Sequence, residues 1–329
     1  MSAAAAPGFV APRWLSGAHA QTIYASRFCP RPSIAYRRER WDTPDGDFID
    51  VDFTGPGQPA TPGAPWLVMF HGLEGSSQSH YARALMGMAM RRGWQGAVPH
   101  FRGCGGEPNR LARAYHSGDT AEVNWVLHRL ALQAQGAPLY AIGVSLGGNA
   151  LLKWLGERGT AAGELVTAAA SVCAPLDLGA AGASLERGFT RFYAWNFLST
   201  LRHKAMDKLV RFPELFDGER MRHARTMREF DDLFTAPLHG YHGVDDYWTR
   251  ASSKPGLRAI EVPTLVINAL DDPFLPAAVL PRADQVSARV TLDYPASGGH
   301  VGFVDGRLPG RSNWMASRLE HFLGVSGSS

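Results

Sequence analysis

The 329-residue chain has few cysteines, no long hydrophobic run and no large excess of charge of either sign. Its three cysteines, Cys29, Cys104 and Cys173, are scattered and odd in number, which argues against a disulfide framework and indicates a reducing compartment. No apolar run reaches the length of about 18 residues that a bilayer span requires. The first residues lack the basic start and apolar stretch of a secretory signal. We therefore expect a cytoplasmic protein with no transmembrane segment.

The charges are almost balanced, since 33 lysines and arginines stand against 30 aspartates and glutamates. No sustained basic run with interleaved aromatic residues occurs, and this argues against a nucleic-acid partner. The histidines show no HExxH or other tight ligand spacing, so we expect no metal site and no cofactor. With 45% hydrophobic residues, the chain can bury a sizeable core and carry an insertion.

Short apolar runs alternate with helical patterns along most of the chain. Two strands that flank a Thr-Pro-Asp-Gly turn at residues 43–46 predict an antiparallel hairpin. Further on, the alternation predicts the α/β class, with a mostly parallel central sheet and helices on both faces. We divide the chain into an N-terminal arm at residues 1–34, a core at 35–175 and 257–329, and a helical insertion at 176–256.

The insertion interrupts the alternation of strands and helices and is rich in aromatic residues. One interpretation is an ordinary helical insertion whose aromatics form its own core. The other is a lid over an apolar acyl pocket, and we favour it from the place of the insertion in the chain. We expect only a few of the aromatics to face a substrate. They are Phe189, Phe192, Tyr193, Trp195, Phe197, Phe212, Phe216, Phe230, Phe234, Tyr241, Tyr247 and Trp248.

The most informative local pattern is Gly-Val-Ser-Leu-Gly at residues 143–147, between an apolar strand and a helix. In such a G-x-S-x-G turn, a strained backbone exposes the serine hydroxyl above the sheet edge, and the glycines leave room for the crossing chain. Ser145 is therefore the candidate nucleophile. The backbone N–H of Leu146 opens the following helix, where it can stabilise an oxyanion.

A serine hydroxyl needs a base and an orienting acid, which in this kind of fold follow it in the order acid, then histidine. We choose His300 as the base, because it lies in a glycine-rich loop after the last strand. Asp271 and Asp272 compete as the acid at the end of a Val/Ile strand. We favour Asp272 for its Asp-Pro-apolar-apolar-Pro setting and assign Asp271 to capping the turn.

The second oxyanion donor is expected in the loop after the strand over residues 66–70. This loop starts with His71 and is glycine-rich. We choose the N–H of Leu73 as this second donor, and together with the N–H of Leu146 it would form the oxyanion hole. His71 is interpreted as a residue that holds the loop by hydrogen bonds.

Nine short motifs are spread over nearly the whole chain. They occupy residues 17–22, 71–76, 102–109, 115–118, 143–149, 236–240, 244–247, 268–274 and 298–302. Together they resemble the YheT-like branch of the α/β-hydrolase superfamily, also called the AB hydrolase 4 family. The resemblance implies the α/β-hydrolase fold, a triad of Ser145, Asp272 and His300, and carboxylic ester hydrolysis. Eukaryotic relatives act on acylglycerols or phospholipids.

We therefore predict a serine esterase that acts on a small-molecule ester, with acyl lipids among the candidate substrates. Two alternatives stay open. One is a thioesterase or amidase that uses the same triad, and the other is a non-catalytic protein of this fold that binds a ligand in the pocket. Acyl-chain length, alcohol preference and oligomeric state are not determined by the sequence.

Overall fold

The computed structural model describes residues 8–54 and 63–326, and its centre is a sheet of eight strands. In chain order, the strands β1 to β8 are Tyr36–Asp42, Phe48–Thr54, Trp66–Phe70, Gln95–Pro99, Leu139–Val144, Ala168–Val172, Thr264–Ile267 and Val290–Asp293. Their order across the sheet is β1-β2-β4-β3-β5-β6-β7-β8. Residues 1–7 of the predicted arm, and 55–62 and 327–329 of the predicted core, lie outside the described residues.

The sheet is mostly parallel, as the alternating pattern predicts. Strand β2 runs antiparallel to both of its neighbours, and the other neighbouring strands are parallel. The hairpin at residues 43–46 is confirmed, with Asp42 opposite Phe48. Strands β3 to β8 therefore end at one edge of the sheet, which is where open α/β sheets collect functional residues.

The helices α1 to α11 are, in chain order, Ala18–Arg27, His80–Arg91, Thr120–Ala134, Leu146–Arg158, Leu178–Leu185, Thr190–Arg211, Gly218–His223, Met227–Phe230, Ala236–Leu238, Val244–Ala251 and Asn313–Ser326. Short 3₁₀ helices occupy Arg13–Leu15, Gly159–Glu164, Lys254–Ala259, Ala277–Val279 and Ala283–Gln285. In the described ranges, no helix combines the length and the apolar character needed to traverse a bilayer.

Helices cover both faces of the sheet, because successive side chains of a strand point to opposite faces. In β3, Leu67 and Met69 belong to one buried layer, together with apolar residues of α2 and α11. Val68 and Phe70 belong to the other layer, with residues of α3 and α4. The core thus lies on both sides of the sheet and holds the strand ends in fixed positions.

Between β6 and β7 the chain leaves the sheet and forms helices α5 to α10, inside the predicted insertion. One apolar cluster of this region includes Leu201 and Phe234. A second includes Tyr247 and Trp248 of α10. The insertion is therefore helical and has apolar contacts of its own, beside the sheet edge where β6 and β7 end.

The N-terminal segment contains helix α1, which the sequence analysis does not predict. Gln21 of this helix is completely buried. Its Nε2 donates to the carbonyl oxygens of Leu15 (2.9 Å) and Val304 (3.1 Å), and its Oε1 accepts the Val304 N–H (2.7 Å). Helix α1 is thereby attached to the segment that follows residue 300.

Candidate active site

Ser145 lies on the tight turn between β5 and α4, as the G-x-S-x-G pattern predicts. Its backbone has φ of +52° and ψ of −122°, a conformation that is costly for a non-glycine residue. A Cβ on Gly143 would collide with the carbonyl oxygen of Gly147, and a Cβ on Gly147 with that of Phe70. The N–H of Ser145 donates to Val172 O (2.8 Å), which fixes the turn against β6.

The structure brings Ser145, His300 and Asp272 together in a hydrogen-bonded line. His300 Nε2 lies 2.9 Å from Ser145 Oγ. His300 Nδ1 lies 2.9 Å from Asp272 Oδ2 and 3.2 Å from Oδ1, and the carboxyl group is buried. When the Nδ1–H of an imidazole donates to a carboxylate, Nε2 is left to accept the serine proton. This arrangement can therefore activate the hydroxyl as a nucleophile.

The two neighbouring aspartates after β7 have different contacts. Asp272 Oδ1 accepts the N–H of Phe274 (2.8 Å), which fixes the carboxylate within reach of His300. Asp271 Oδ1 accepts the N–H of Gly299 (2.8 Å) and so holds the loop just before the histidine. Burial raises the pKa of Asp271. The structure therefore places Asp272, and not Asp271, against the imidazole.

Residues that the sequence analysis does not select hold the His300 loop from three sides. The His300 N–H donates to Thr22 Oγ1 of α1 (2.9 Å). The Val301 N–H donates to Cys173 Sγ (3.3 Å), and His80 Nε2 lies 2.8 Å from the Val301 oxygen. Thr22 belongs to a motif that carries the family resemblance, and this is the one sequence signal that points to it.

Cys173, Asp272 and His300 form the one group, in the part of the chain that the structure describes, whose donor atoms could hold a metal ion. These atoms lie within 4.8 Å of one another. Burial raises the pKa of the Cys173 thiol well above its ordinary value, so the group is a neutral thiol and a poor metal ligand. Its sulfur accepts the Val301 N–H, and His300 Nδ1 faces Asp272. The donor atoms are thus already satisfied by hydrogen bonds.

The predicted oxyanion donors are the backbone N–H groups of two residues that share a pocket with Ser145. Leu146 opens α4, Leu73 follows β3, and both residues line the pocket that contains Ser145. Among the described residues, neither N–H donates to another protein group. A Cβ added to Gly72 would lie 3.1 Å from Ser145 Cβ, so the loop passes close to the serine. The assignment of both N–H groups as donors to a negatively charged oxygen at Ser145 stays a prediction.

His71 holds the loop of residues 71–76, which we call the oxyanion loop. Its Nε2 accepts the N–H of Phe101 (3.1 Å), so Nδ1 carries the proton and donates to Gly72 O (2.7 Å). Burial lowers the pKa of His71 to about 3, and the ring is therefore neutral. The Tyr81 hydroxyl accepts the Gly72 N–H (2.9 Å) and so fixes the preceding peptide group, between His71 and Gly72.

Glu74 connects the oxyanion loop to the insertion. Its φ is +53°, in the left-handed region that a non-glycine residue rarely adopts. The Tyr115 hydroxyl accepts the Glu74 N–H (3.0 Å) and donates to Oε1 (2.8 Å). Lys204 Nζ on α6 lies 2.7 Å from Oε2. Burial raises the pKa of the nearby Cys104 thiol to about 12, so this thiol is a packing group and not a nucleophile.

Two adjoining cavities lie between the sheet edge and the insertion. The smaller, of about 100 Å³, is lined by Ser145 and His300, and the larger, of about 320 Å³, runs beside α6. They share the lining residues Leu73, Ser117, Leu146, Met227, Asp231 and Tyr247. Of the twelve aromatics in the insertion, five line these cavities: Phe197, Phe230, Phe234, Tyr247 and Trp248.

Asp231 places a carboxyl group where the two cavities meet. It begins a π turn, Asp231–Thr235, a distortion that is frequent at functional sites. Its Oδ1 accepts the Thr235 hydroxyl (2.7 Å), and its Oδ2 accepts the indole N–H of Trp248 (2.8 Å). Burial raises the pKa of Asp231 to about 6, although these two hydrogen bonds act in the opposite direction.

Known proteins share this architecture and much of the sequence. A sequence profile of the α/β hydrolase fold matches residues 65–307. The Escherichia coli (strain K12) protein named "Putative esterase YheT" is 40% identical, over 96% of this chain and 92% of its own length. Mouse phospholipase ABHD3 is 30% identical over 94% of this chain and 76% of its own. The structure of the Pyrococcus furiosus esterase PF2001 covers 90% of this chain and 96% of its own, with a TM-score of 0.56 at 15% identity, a likeness of fold.

Proposed function

The chain belongs to the YheT-like branch of the α/β-hydrolase superfamily, and on that premise we propose that it is a serine hydrolase of carboxylic esters. The observation that carries the proposal is the line from Ser145 through His300 to Asp272, in which each imidazole nitrogen lies 2.9 Å from its partner. The names of its relatives, an esterase and a phospholipase, support hydrolysis of an ester bond.

The first half of the proposed reaction forms an acyl-enzyme. His300 Nε2 takes the proton of the Ser145 hydroxyl while the serine oxygen attacks the ester carbonyl carbon. Asp272 keeps the proton of the imidazole on Nδ1 and stabilises the imidazolium that forms. The backbone N–H groups of Leu73 and Leu146 donate to the oxyanion, and each contributes roughly 3 kcal/mol to transition-state stabilisation.

The second half releases the products and restores the enzyme. His300 gives its proton to the departing alcohol oxygen, and the acyl group stays on Ser145 Oγ. Water then attacks the acyl carbon, and His300 takes one proton from that water. When the second tetrahedral intermediate breaks, this proton returns to Ser145. One ester and one water thus yield one alcohol and one carboxylic acid.

We assign the insertion at residues 176–256 the role of a lid over an apolar pocket. Aromatic side chains from it line both cavities, and Lys204 of α6 joins it to the oxyanion loop through Glu74. Cavities of about 100 and 320 Å³ fit an ester with a small group on one side and a longer apolar group on the other. Acyl lipids belong to this class of substrate.

A labelling and hydrolysis experiment tests the nucleophile. The wild-type protein is expected to cleave p-nitrophenyl esters and to react with a fluorophosphonate probe at Ser145. Ser145→Ala should lose the label and about six orders of magnitude in turnover. Ser199→Ala removes an exposed hydroxyl of α6 and serves as the matched control, which keeps both properties. Near-normal hydrolysis by folded Ser145→Ala would contradict the proposal.

A panel of substrates tests the bond that is cleaved. Esters, thioesters and anilides that share one acyl group are compared by kcat/KM. The proposal expects the ester to be the best substrate. Faster cleavage of the thioester or anilide would assign the same three residues to a thioesterase or an amidase. Esters of graded acyl length then measure how much of the larger cavity the substrate fills.

A further inference from the structure

An exposed aromatic face at the start of α6 takes no part in the proposed chemistry. Phe189, Phe192 and Trp195 are 53%, 54% and 61% exposed. They are three residues apart and so lie on one side of the helix. Ring centroids are 5.9 Å apart for Phe189 and Phe192, and 6.2 Å apart for Phe192 and Trp195. Together the rings present on the order of 300 Å² of aromatic surface, a patch size that is often functional.

The charge around this face is positive. From residue 186 to residue 206, the sequence has four arginines and lysines and a single acidic residue, Glu186. Lys204 is paired with Glu74, whereas Arg187 and Arg191 are exposed next to the aromatic rings. Aromatic side chains combined with arginines on an exposed helix are typical of binding to an anionic bilayer surface. The charge thus complements acidic lipid headgroups.

The aromatic face adjoins the pocket of the candidate active site. Tyr193, on the same helix, has its ring centroid 4.9 Å from that of Phe274. The Phe274 ring in turn stacks on His300, with centroids 4.1 Å apart. Further along α6, Phe197 lines the cavity that contains Ser145. A surface that contacts the exposed side of α6 would therefore lie close to the cavity that contains Ser145.

We propose that the face formed by Phe189, Phe192 and Trp195 docks the protein on an anionic phospholipid surface. The rings enter the boundary between headgroups and acyl chains, and Arg187 and Arg191 contact lipid phosphates. Such docking is peripheral and reversible. If the proposed function is correct, the lipid surface is the place from which an apolar ester enters the pocket. The docking itself does not depend on hydrolysis.

Co-sedimentation with vesicles tests the docking, with the full-length Ser145→Ala protein so that the lipid stays intact. Vesicles of phosphatidylcholine alone are compared with vesicles that also contain phosphatidylglycerol. We expect preferential binding to the second kind. Combined Phe189→Ser, Phe192→Ser and Trp195→Ser should lower the partition coefficient about tenfold or more, because the apolar anchors are lost.

Phe28→Ser is the matched control for the aromatic substitutions. Phe28 is 67% exposed. On α1, the His19 ring contacts the face, since its centroid lies 4.7 Å from that of Phe189. Phe28 comes nine positions after His19. Nine residues correspond to two and a half helical turns, so Phe28 lies on the side of α1 away from the face. This variant should bind vesicles like its parent. Arg187→Gln combined with Arg191→Gln should lose the preference for phosphatidylglycerol and the sensitivity to salt.

Three results would overturn the docking. The parent protein fails to bind phosphatidylglycerol vesicles, or the triple variant binds them as well as the parent does. The third is a dimer, seen by light scattering, that dissociates in the triple variant, which would assign the face to a second copy of the chain. If the triple variant does not fold, Trp195→Ser alone carries the test. A negative esterase assay with positive vesicle binding would reject only the proposed function.

Discussion

The Tyr115 hydroxyl links the backbone and the side chain of Glu74 in the oxyanion loop. It accepts the Glu74 N–H (3.0 Å) and donates to Glu74 Oε1 (2.8 Å), at a residue whose φ is +53°. Tyr115→Phe removes the hydroxyl and keeps the ring, which stacks on Phe101 with centroids 5.3 Å apart. The variant therefore separates the hydrogen bonds from the packing.

The expected effects follow from these two hydrogen bonds. A hydrogen bond to a charged group contributes about 1.5–3 kcal/mol, and Lys204 remains as a partner of the carboxylate after the substitution. We expect the free energy of unfolding to fall by about 2 kcal/mol. Complete loss of an oxyanion donor lowers kcat by about 10²–10³. Because the loop that carries the Leu73 N–H is loosened and not removed, we expect a fall in kcat of about tenfold.

Steady-state kinetics with p-nitrophenyl butyrate measure this effect, together with urea unfolding. Since the Leu73 N–H is expected to act on the transition state, kcat should fall while KM changes little. A trifluoromethyl ketone, which resembles the tetrahedral intermediate, should lose affinity by the same factor as kcat. Tyr24→Phe is the control, because its hydroxyl donates to Pro309 O (2.9 Å) at the exposed surface. If Tyr115→Phe loses stability but keeps kcat within about twofold, the hydroxyl only stabilises the fold and the reasoning is refuted.

Three further predictions concern charge, pH and stability. Asp272→Asn should lower kcat by about 10⁴, because the amide no longer holds the required imidazole tautomer; Asp271→Asn still accepts the Gly299 N–H and should lose less than about tenfold, and equal losses would contradict the assignment of the acid. Because burial raises the pKa of Asp231 from 3.8 to about 6, the native state binds more protons than the unfolded state between these values. Stability should therefore fall by about 3 kcal/mol as the pH rises from about 4 to about 6, and urea unfolding of Asp231→Asn should lack this component unless the assignment is wrong. Gln21→Ala leaves three buried backbone groups without their partner and should lower the unfolding free energy by about 3 kcal/mol, whereas a loss below about 0.5 kcal/mol would mean that α1 is held by other contacts.

The positions of Ser145, Asp272 and His300 could be predicted because local sequence assigns each of them to the end of a strand. Ser145 follows β5, Asp272 follows β7, and the loop of His300 follows β8. Parallel strands end at the same edge of a sheet, so three separate local patterns converge without any knowledge of contacts. The class of fold could be predicted too, because each strand and helix in the alternation is recognised from its own local pattern.

The contacts that hold the His300 loop could not be predicted, because they join distant parts of the chain. Thr22 accepts the His300 N–H from 278 positions away, and Gln21 bonds to Val304 across 283 positions. Both side chains are polar and buried. Polar side chains are buried where they find hydrogen-bond partners, and their own hydropathy does not predict this. A sequence pattern therefore does not show that these residues are buried, which is why the sequence predicts an N-terminal arm and not helix α1.

The contacts of helix α6 support the proposal that the insertion, more than the sheet, decides which substrate is used. The orientation of α6 about its own axis places Phe197 in the cavity with Ser145 and leaves Trp195, two positions earlier, exposed. The same helix brings Lys204 to Glu74. Aromatic content alone does not distinguish a lining residue from an exposed one, because that difference is set by the angle of the helix. Since the same helix contacts the pocket, the oxyanion loop and solvent, a displacement of α6 would change all three together. The ion pair between Lys204 and Glu74 thus links the insertion to the oxyanion loop, beside a sheet whose strand ends stay fixed.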